Sequence, residues 1–303
     1  MNFKRLDLNL LVALDALLHE RNVTRAAEKL HLTQSTMSGA LARLRDYFGD
    51  ELLQASGRRM VLTPLATTLA APVRDVLLRI DATIARRPDF DPATAERRFR
   101  IAASDYMVTV LLAPAMREAA RIAPGIAFDF QTVDAGVSEA LTRGEVDMVV
   151  MPAHYLPPEH PSETLFVDHY SCVFWMGNTR IGDRLDLDEY LALGHVITRI
   201  RNTPVSMFDQ QLMERGGHVR RIELAVESFA LLPQLVVGTD RVATVQDRLA
   251  RHYARMLPLR VLPAPFDGPQ LEEAMQWHRY QDGDPGMQWL RGLLREAARR
   301  TAA

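Results

Sequence analysis

Residues 21–48, RNVTRAAEKLHLTQSTMSGALARLRDYF, read as two helices joined by a tight turn. In the second helix Met37, Leu41, Leu44 and Phe48 recur at helical steps and form one apolar stripe. The opposite side carries Ser35, Thr36, Gly39, Ala42 and Arg43, flanked by Gln34 and Ser38. A helix that keeps bulk off its outer face fits the DNA major groove, where Gln, Ser and Thr hydrogen-bond base edges. Thr33 is placed to cap this helix, and Asn22 or Thr24 the one before it. Ala26 and Ala27 are small where the two helices should cross.

Working outward, Leu8, Leu11, Leu14, Leu17 and Leu18 mark an earlier helix that packs behind the pair. Residues 52–62 read as a wing, two short apolar runs around a turn with Gly57, Arg58 and Arg59. This predicts Gln34, Ser35 and Ser38 at base edges and Arg43 at bases or phosphate. Arg25, Arg58 and Thr63 are expected to hold the backbone or enter the minor groove. A plain helical bundle with solvated charges is the competing reading.

Thr63-Pro64 opens the next helix, a Thr cap followed by Pro at the first helical position. From there Leu65, Leu69, Val73, Val76, Leu77, Ile80 and Ile84 repeat at steps of three or four. A long one-sided helix next to a DNA reader is expected to pair with a copy of itself. The dimerisation residues read from it are Leu69, Val73, Val76, Leu77, Ile80 and Ile84; the alternative is packing onto their own domain.

The chain has 303 residues, too many for one such module, and a formal charge of only −2. The charge is unevenly spread. Residues 1–100 carry 16 Lys+Arg against 12 Asp+Glu, and residues 101–303 carry 20 against 26, placing the polyanion partner at the N-terminal end. The lone cysteine, Cys172, permits no intrachain disulfide and sits in an apolar strand. Neither a signal-peptide run nor a membrane-spanning stretch is visible, which predicts a soluble, cytoplasmic protein with no membrane partner.

After residue 97 strands and helices alternate. Residues 99–103, 126–130 and 146–151 read as strands, Ser104 caps a helix to about residue 121, and residues 137–143 form a short helix. The order predicts a parallel sheet flanked by helices. Strand 171–175 is expected to lead into a second α/β lobe. The predicted domains are 1–63 (winged helix-turn-helix), 64–88 (linker and dimerisation helix), 89–97 (hinge) and 98–303. The last divides into lobe I, 98–174 and 263–303, and lobe II, 175–262. Two lobes joined by two crossings make a clamp with a cleft for a small molecule.

Ser104 ends the first strand and opens a helix, so it is either a cap only or a cleft-facing ligand group. Asp105 beside it is expected to repel a carboxylate ligand, which points to a neutral or phenolic aromatic. Thr132 and Pro152, at the ends of the next two strands, should border the same cleft. No Gly-x-Ser-x-Gly, phosphate loop or dinucleotide fingerprint is present, and His154, His160, His169 and His195 lack metal-ligand spacing. No enzyme, cofactor or metal is therefore expected.

The whole pattern resembles the LysR-type transcriptional regulators. The matching segments are residues 6–11, 23–27, 32–34 with Met37 and Ser38, 57–59 before 62–64, and Leu141 with 144–147. Residues 103–106, 220–222, 238–240, 243–245, 276–278, 284–285 and 289–291 are most similar to the branch of nodulation-type, flavonoid-responsive and aromatic-catabolism regulators. The resemblance implies an N-terminal all-α winged helix-turn-helix and a two-lobed, periplasmic-binding-protein-like α/β effector domain. It also implies a homodimer assembling into a homotetramer, bending of double-stranded promoter DNA, activation and possible contact with RNA polymerase. Asp168 and Phe229 lie in segments that match cleft-lining segments of the family. Ser35 and Thr36 depart from the Pro and Ala usual in this branch, which puts the operator sequence in doubt. Other classes remain: a two-lobed small-molecule receptor, an enzyme with a DNA-binding appendage, and a regulator whose cleft is filled by its own side chains.

Overall fold

The computed structural model describes residues 7–57, 59–84, 90–199, 207–266 and 268–301. The chain forms two units, Met1–Arg86 and Arg87–Ala303. In the first, α1 (Leu8–Glu20) is capped by Asp7, whose carboxylate accepts the Asn9 N–H at 2.9 Å. Asn22 caps α2 (Val23–Lys29) by accepting the Arg25 N–H at 3.0 Å. Thr33 caps α3 (Gln34–Phe48), and Gly49 ends it at φ 62°, a left-handed conformation that costs glycine little. Met37, Leu41 and Leu44 are buried on one face of α3 against α1, with Ala26 and Ala27 buried where α2 crosses. Burying each of the larger side chains contributes about 1.5–3 kcal/mol.

Strands β1 (Leu53–Ser56) and β2 (Arg59–Leu62) pair antiparallel, Ser56 opposite Arg59, with Gly57 at φ 60° in the turn. Helix α4 (Pro64–Ile84) runs through Pro72, whose missing N–H leaves the Thr68 carbonyl without its helical donor. The α4 stripe divides, and this corrects the expectation that all of it serves a second copy. Val73 is buried, and Leu69 and Leu77 are half-buried against the core of this unit, while Arg74 reaches Asp15 of α1 at 2.9 Å. Val76 and Ile84 stay 44% and 77% exposed. Val76 lies about 60° round the helix from Val73, beyond the edge of α1.

In the second unit, β3 (Arg97–Ala103) leads into a helix capped by Ser104. That helix runs as α5 (Asp105–Met107), a π-helical turn at Val108–Leu112, and α6 (Ala113–Ile122). β4 (Ile126–Gln131), α7 (Val137–Thr142), β5 (Met148–Pro152) and β6 (Ser162–Asp168) follow. The chain then enters lobe II, which holds β7 (Tyr170–Trp175), α8 (Leu187–Ala192), β8 (His195–Thr198) and α9 (Met207–Gly216). It continues with β9 (Ile222–Val226), α10 (Leu232–Leu235), β10 (Val242–Gln246), α11 (Asp247–Ala254) and β11 (Leu259–Pro263). It returns to lobe I for β12 (Leu271–Trp277) and α12 (Pro285–Arg300).

The lobe I sheet has the order β4-β3-β5-β12-β6 and the lobe II sheet β11-β7-β10-β8-β9. A boundary at 174/175 is therefore wrong. Strand 170–175 pairs with both β10 and β11 inside lobe II, and the crossing is His169. The misplacement follows from β6, a strand whose mixed run of residues gives no clean alternation. One apolar cluster runs through both lobes, joining Tyr106, Met107 and Leu111 to Val245, Leu249 and Ala250. Among the described residues no helix is long and apolar enough to cross a membrane.

Candidate nucleic-acid interface and effector site

The face of α3 opposite its buried stripe is open. Gln34, Ser35, Thr36, Ser38, Ala42 and Arg43 are all exposed. The Thr33 hydroxyl lies 2.9 Å from the Ser35 hydroxyl and 2.8 Å from that of Thr36, lining three hydroxyls along the start of the helix. Arg25 donates to the Glu20 carbonyl at 2.7 Å and sits 3.7 Å from its carboxylate, and Arg43 sits 3.7 Å from Asp7. Exposed pairs of this kind are worth roughly 0–1 kcal/mol, so either guanidinium transfers to a phosphate at small cost. Arg58 lies outside the described residues.

Thr63 is corrected. It is buried, donates its hydroxyl to Asp50 at 2.6 Å and accepts the Ala66 N–H at 3.1 Å, which leaves nothing for a phosphate. What it does instead is hold the wing. Asp50 also accepts the Leu52 N–H at 2.7 Å, and Arg45 donates to the carbonyls of Glu51 at 2.8 Å and Leu53 at 2.9 Å. Neither Arg45 nor Asp50 stands out in sequence, because only the folded register brings them to the base of the hairpin. Asp50→Ala should lower the stability of this unit by about 1–3 kcal/mol and weaken DNA binding through the loosened wing. Thermal unfolding and a binding titration on the same variant check both effects.

In lobe I, β4, β3 and β5 are adjacent and parallel, so their C-terminal ends bring Thr132, Ser104 and Pro152 to one edge of the sheet. The Ser104 hydroxyl accepts the Met107 N–H at 3.3 Å, as a cap does. Thr132 also lines a cavity of about 330 Å³ with Asp134, Val137 and Arg143, formed by lobe I alone beside α7.

Asp105 departs from expectation. Its carboxylate accepts the Ser228 hydroxyl at 2.6 Å, the Ala230 N–H at 3.0 Å and the Phe229 N–H at 3.2 Å, all from lobe II, and the Tyr106 N–H at 3.0 Å. It is a clasp between lobes. Its four donors occupy both oxygens, so it offers no free acceptor to a ligand while keeping its negative charge. Phe229 is half-buried and packs against the shared core.

Asp168, expected at the cleft wall, is 3% exposed and accepts the Tyr106 hydroxyl at 2.6 Å, the His169 N–H at 2.8 Å and the Arg248 N–H at 3.4 Å. Burial raises its carboxyl above the ordinary range despite those donors. Glu273, which belongs to no motif or apolar pattern, is 1% exposed. Burial, and then the charge of Asp168, push its carboxyl up to about 8. Elsewhere burial pushes the Cys172 thiol up to about 12 and the His195 imidazole down to about 4. The first is too poor in thiolate for nucleophilic work. Among the described residues no group of three or more His, Cys, Asp or Glu is placed to hold a metal.

Comparison with known proteins gives two family matches. Residues 8–67 match the bacterial regulatory helix-turn-helix protein, lysR family, and residues 92–299 match the LysR substrate binding domain. Nodulation protein D 1 of Rhizobium tropici is 42% identical over 302 residues, spanning 100% of this chain and 98% of that protein. Nodulation protein D 2 of Bradyrhizobium diazoefficiens is 41% identical, spanning 100% and 92%. The crystal structure of a probable transcriptional regulator from Pseudomonas aeruginosa superposes with a TM-score of 0.65 at 32% identity, covering 96% of this chain and 97% of that one.

Proposed function

The chain belongs to the LysR family of bacterial transcriptional regulators, with a helix-turn-helix domain and an effector-binding domain, and from that premise we propose how it works. A homodimer, and a tetramer built from two of them, reads promoter DNA in the cytoplasm through α3 and the wing. A small aromatic effector between the lobes sets its activity. It performs no catalysis. The observation that carries this reading is the bare polar face of α3, with Met37, Leu41 and Leu44 of its apolar stripe buried in the core behind it.

We assign the exposed Gln34, Ser35 and Ser38 to base edges, Arg43 to bases or phosphate, and Arg25 to the backbone or minor groove. The purified protein should bind a pseudo-palindromic promoter fragment with an affinity that falls steeply as salt rises. Gln34→Ala should cost about 1–3 kcal/mol of discrimination at one base pair while nonspecific affinity holds. Competition between the promoter and base-substituted fragments measures this. A uniform loss across all fragments would assign Gln34 to the backbone instead.

For the effector, Ser104, Thr132 and Pro152 supply the lobe I edge. Tyr170, Phe208 and Phe266 pack together in the lobe II core beside the crossings, with ring centroids 5.1 and 4.9 Å apart, and stiffen that side of the cleft. A panel of phenolics and flavonoids should contain compounds that raise the thermal midpoint. A ligand at a hundred times its Kd adds about 2.7 kcal/mol. A panel in which only aliphatic carboxylates shift the midpoint would overturn the aromatic assignment.

A further inference from the structure

We propose that Glu273, the buried diagonal neighbour of Asp168 beside the two crossings between the lobes, is a proton switch, so that closure of the effector domain takes up a proton. Asp168 is the last residue of β6, immediately before the crossing at His169. Glu273 is the third residue of β12, the strand entered from the second crossing. The two strands are antiparallel, with Asp168 opposite Leu271 and Glu273 opposite Phe166. The carboxyls are therefore diagonal neighbours on one face of the sheet, with backbone positions about 7–8 Å apart.

Both groups are buried, and their surroundings differ. Asp168 faces donors from three elements: the Tyr106 hydroxyl of α5, the His169 N–H of the crossing and the Arg248 N–H of α11 in lobe II. The Arg248 guanidinium lies over the Phe166 ring at 3.9 Å, donates to the Thr301 hydroxyl at 2.8 Å, and adds positive charge beside Asp168. Glu273 faces Asp168, Tyr106 and Tyr170, and its Oε2 has no hydrogen-bond partner among the described residues. The donors around Asp168 favour its carboxylate over that of Glu273, so Glu273 is the member that holds the proton. Two like charges this close in a dry site do not both ionise freely.

Separating the lobes removes α11 from Asp168 and admits water, which lets Glu273 return toward its ordinary value. The closed form therefore binds one proton more than the open form. The sign follows from a carboxyl raised in the closed state from 4.5 to about 8. The preference for closure is fully present below 4.5, is lost progressively as pH rises to about 8, and is flat above that. Nothing in this depends on which effector is bound.

The test uses the full-length protein carrying nitroxide labels at Arg121→Cys in lobe I and Asp188→Cys in lobe II, both exposed positions. Cys172 is buried and does not compete for label. Between pH 6 and pH 9 the open-to-closed ratio should rise by up to about 100-fold, read as a longer inter-label distance. Glu273→Gln, which mimics the protonated acid, should hold the pH 6 distance at pH 9 and flatten the fall of the thermal midpoint over the same range. An unchanging distance in the parent protein overturns the proposal. So does a Gln variant that responds to pH as the parent does.

Discussion

Replacing Val76 and Ile84 together by aspartate should leave a folded monomer that binds its promoter about 10²–10⁴ times more weakly, the avidity lost when two half-sites are no longer engaged at once. The choice of residues rests on how α4 spends its stripe. Val73 is only 6% exposed and belongs to the core beside α1, so a charge there would unfold the domain and report nothing about assembly. Val76 and Ile84 have no such duty. They are exposed, and Leu65, on the same side of the helix, is 36% exposed. An aspartate at each solvated position leaves the monomer's packing intact and places a charge in the seam of the proposed dimer. Sedimentation equilibrium gives the assembly state, circular dichroism confirms the fold, and a binding titration against salt gives affinity. The salt slope should also fall by about half, because each monomer contacts half the phosphates. A dimer that survives both charges would place its seat elsewhere.

The contrast between Val73 and Val76 shows what was legible in the sequence. A 3.6-residue period, a cap and an end signal are local properties. The caps at Asn22 and Thr33, the buried stripe of α3 and the open face of Gln34 to Arg43 were readable for that reason. Which neighbour covers a stripe is not local. The α4 period marks an apolar side, but only the position of α1 decides which part of it is consumed. Thr63 reads as a cap and a plausible phosphate ligand. The folded wing then delivers Asp50 to its hydroxyl from thirteen positions away. In the effector domain the distances grow. Asp105 meets Ser228 across 123 positions, and nothing near either residue announces the other. Glu273 was silent too, since an acid in a strand usually marks a solvated face. Its neighbour Glu272 is on that face, and one residue of register separates the two outcomes.

Asp105→Ala should open the effector domain and abolish its response to ligand, while promoter binding by the other unit persists. Three cross-lobe hydrogen bonds end on this one carboxylate, each charge-assisted. Such bonds are worth about 1.5–3 kcal/mol singly, but they share one acceptor and the freed N–H groups regain water. A net loss on the order of 3 kcal/mol is therefore expected, enough to move the closed-to-open ratio by roughly 100-fold. Asp105→Asn keeps the shape and one acceptor oxygen but loses the charge, so it should fall between parent and Ala. Two readouts separate this role from general damage. The inter-lobe label distance should lengthen in the order parent, Asn, Ala, and the affinity of the free protein for nonspecific DNA should not change. If the distance stays put while the thermal midpoint drops, Asp105 only stabilises its own helix start through the Tyr106 N–H. If the effector response survives in the Ala variant, the clasp has no part in the switch, and the two crossings alone govern how the lobes move.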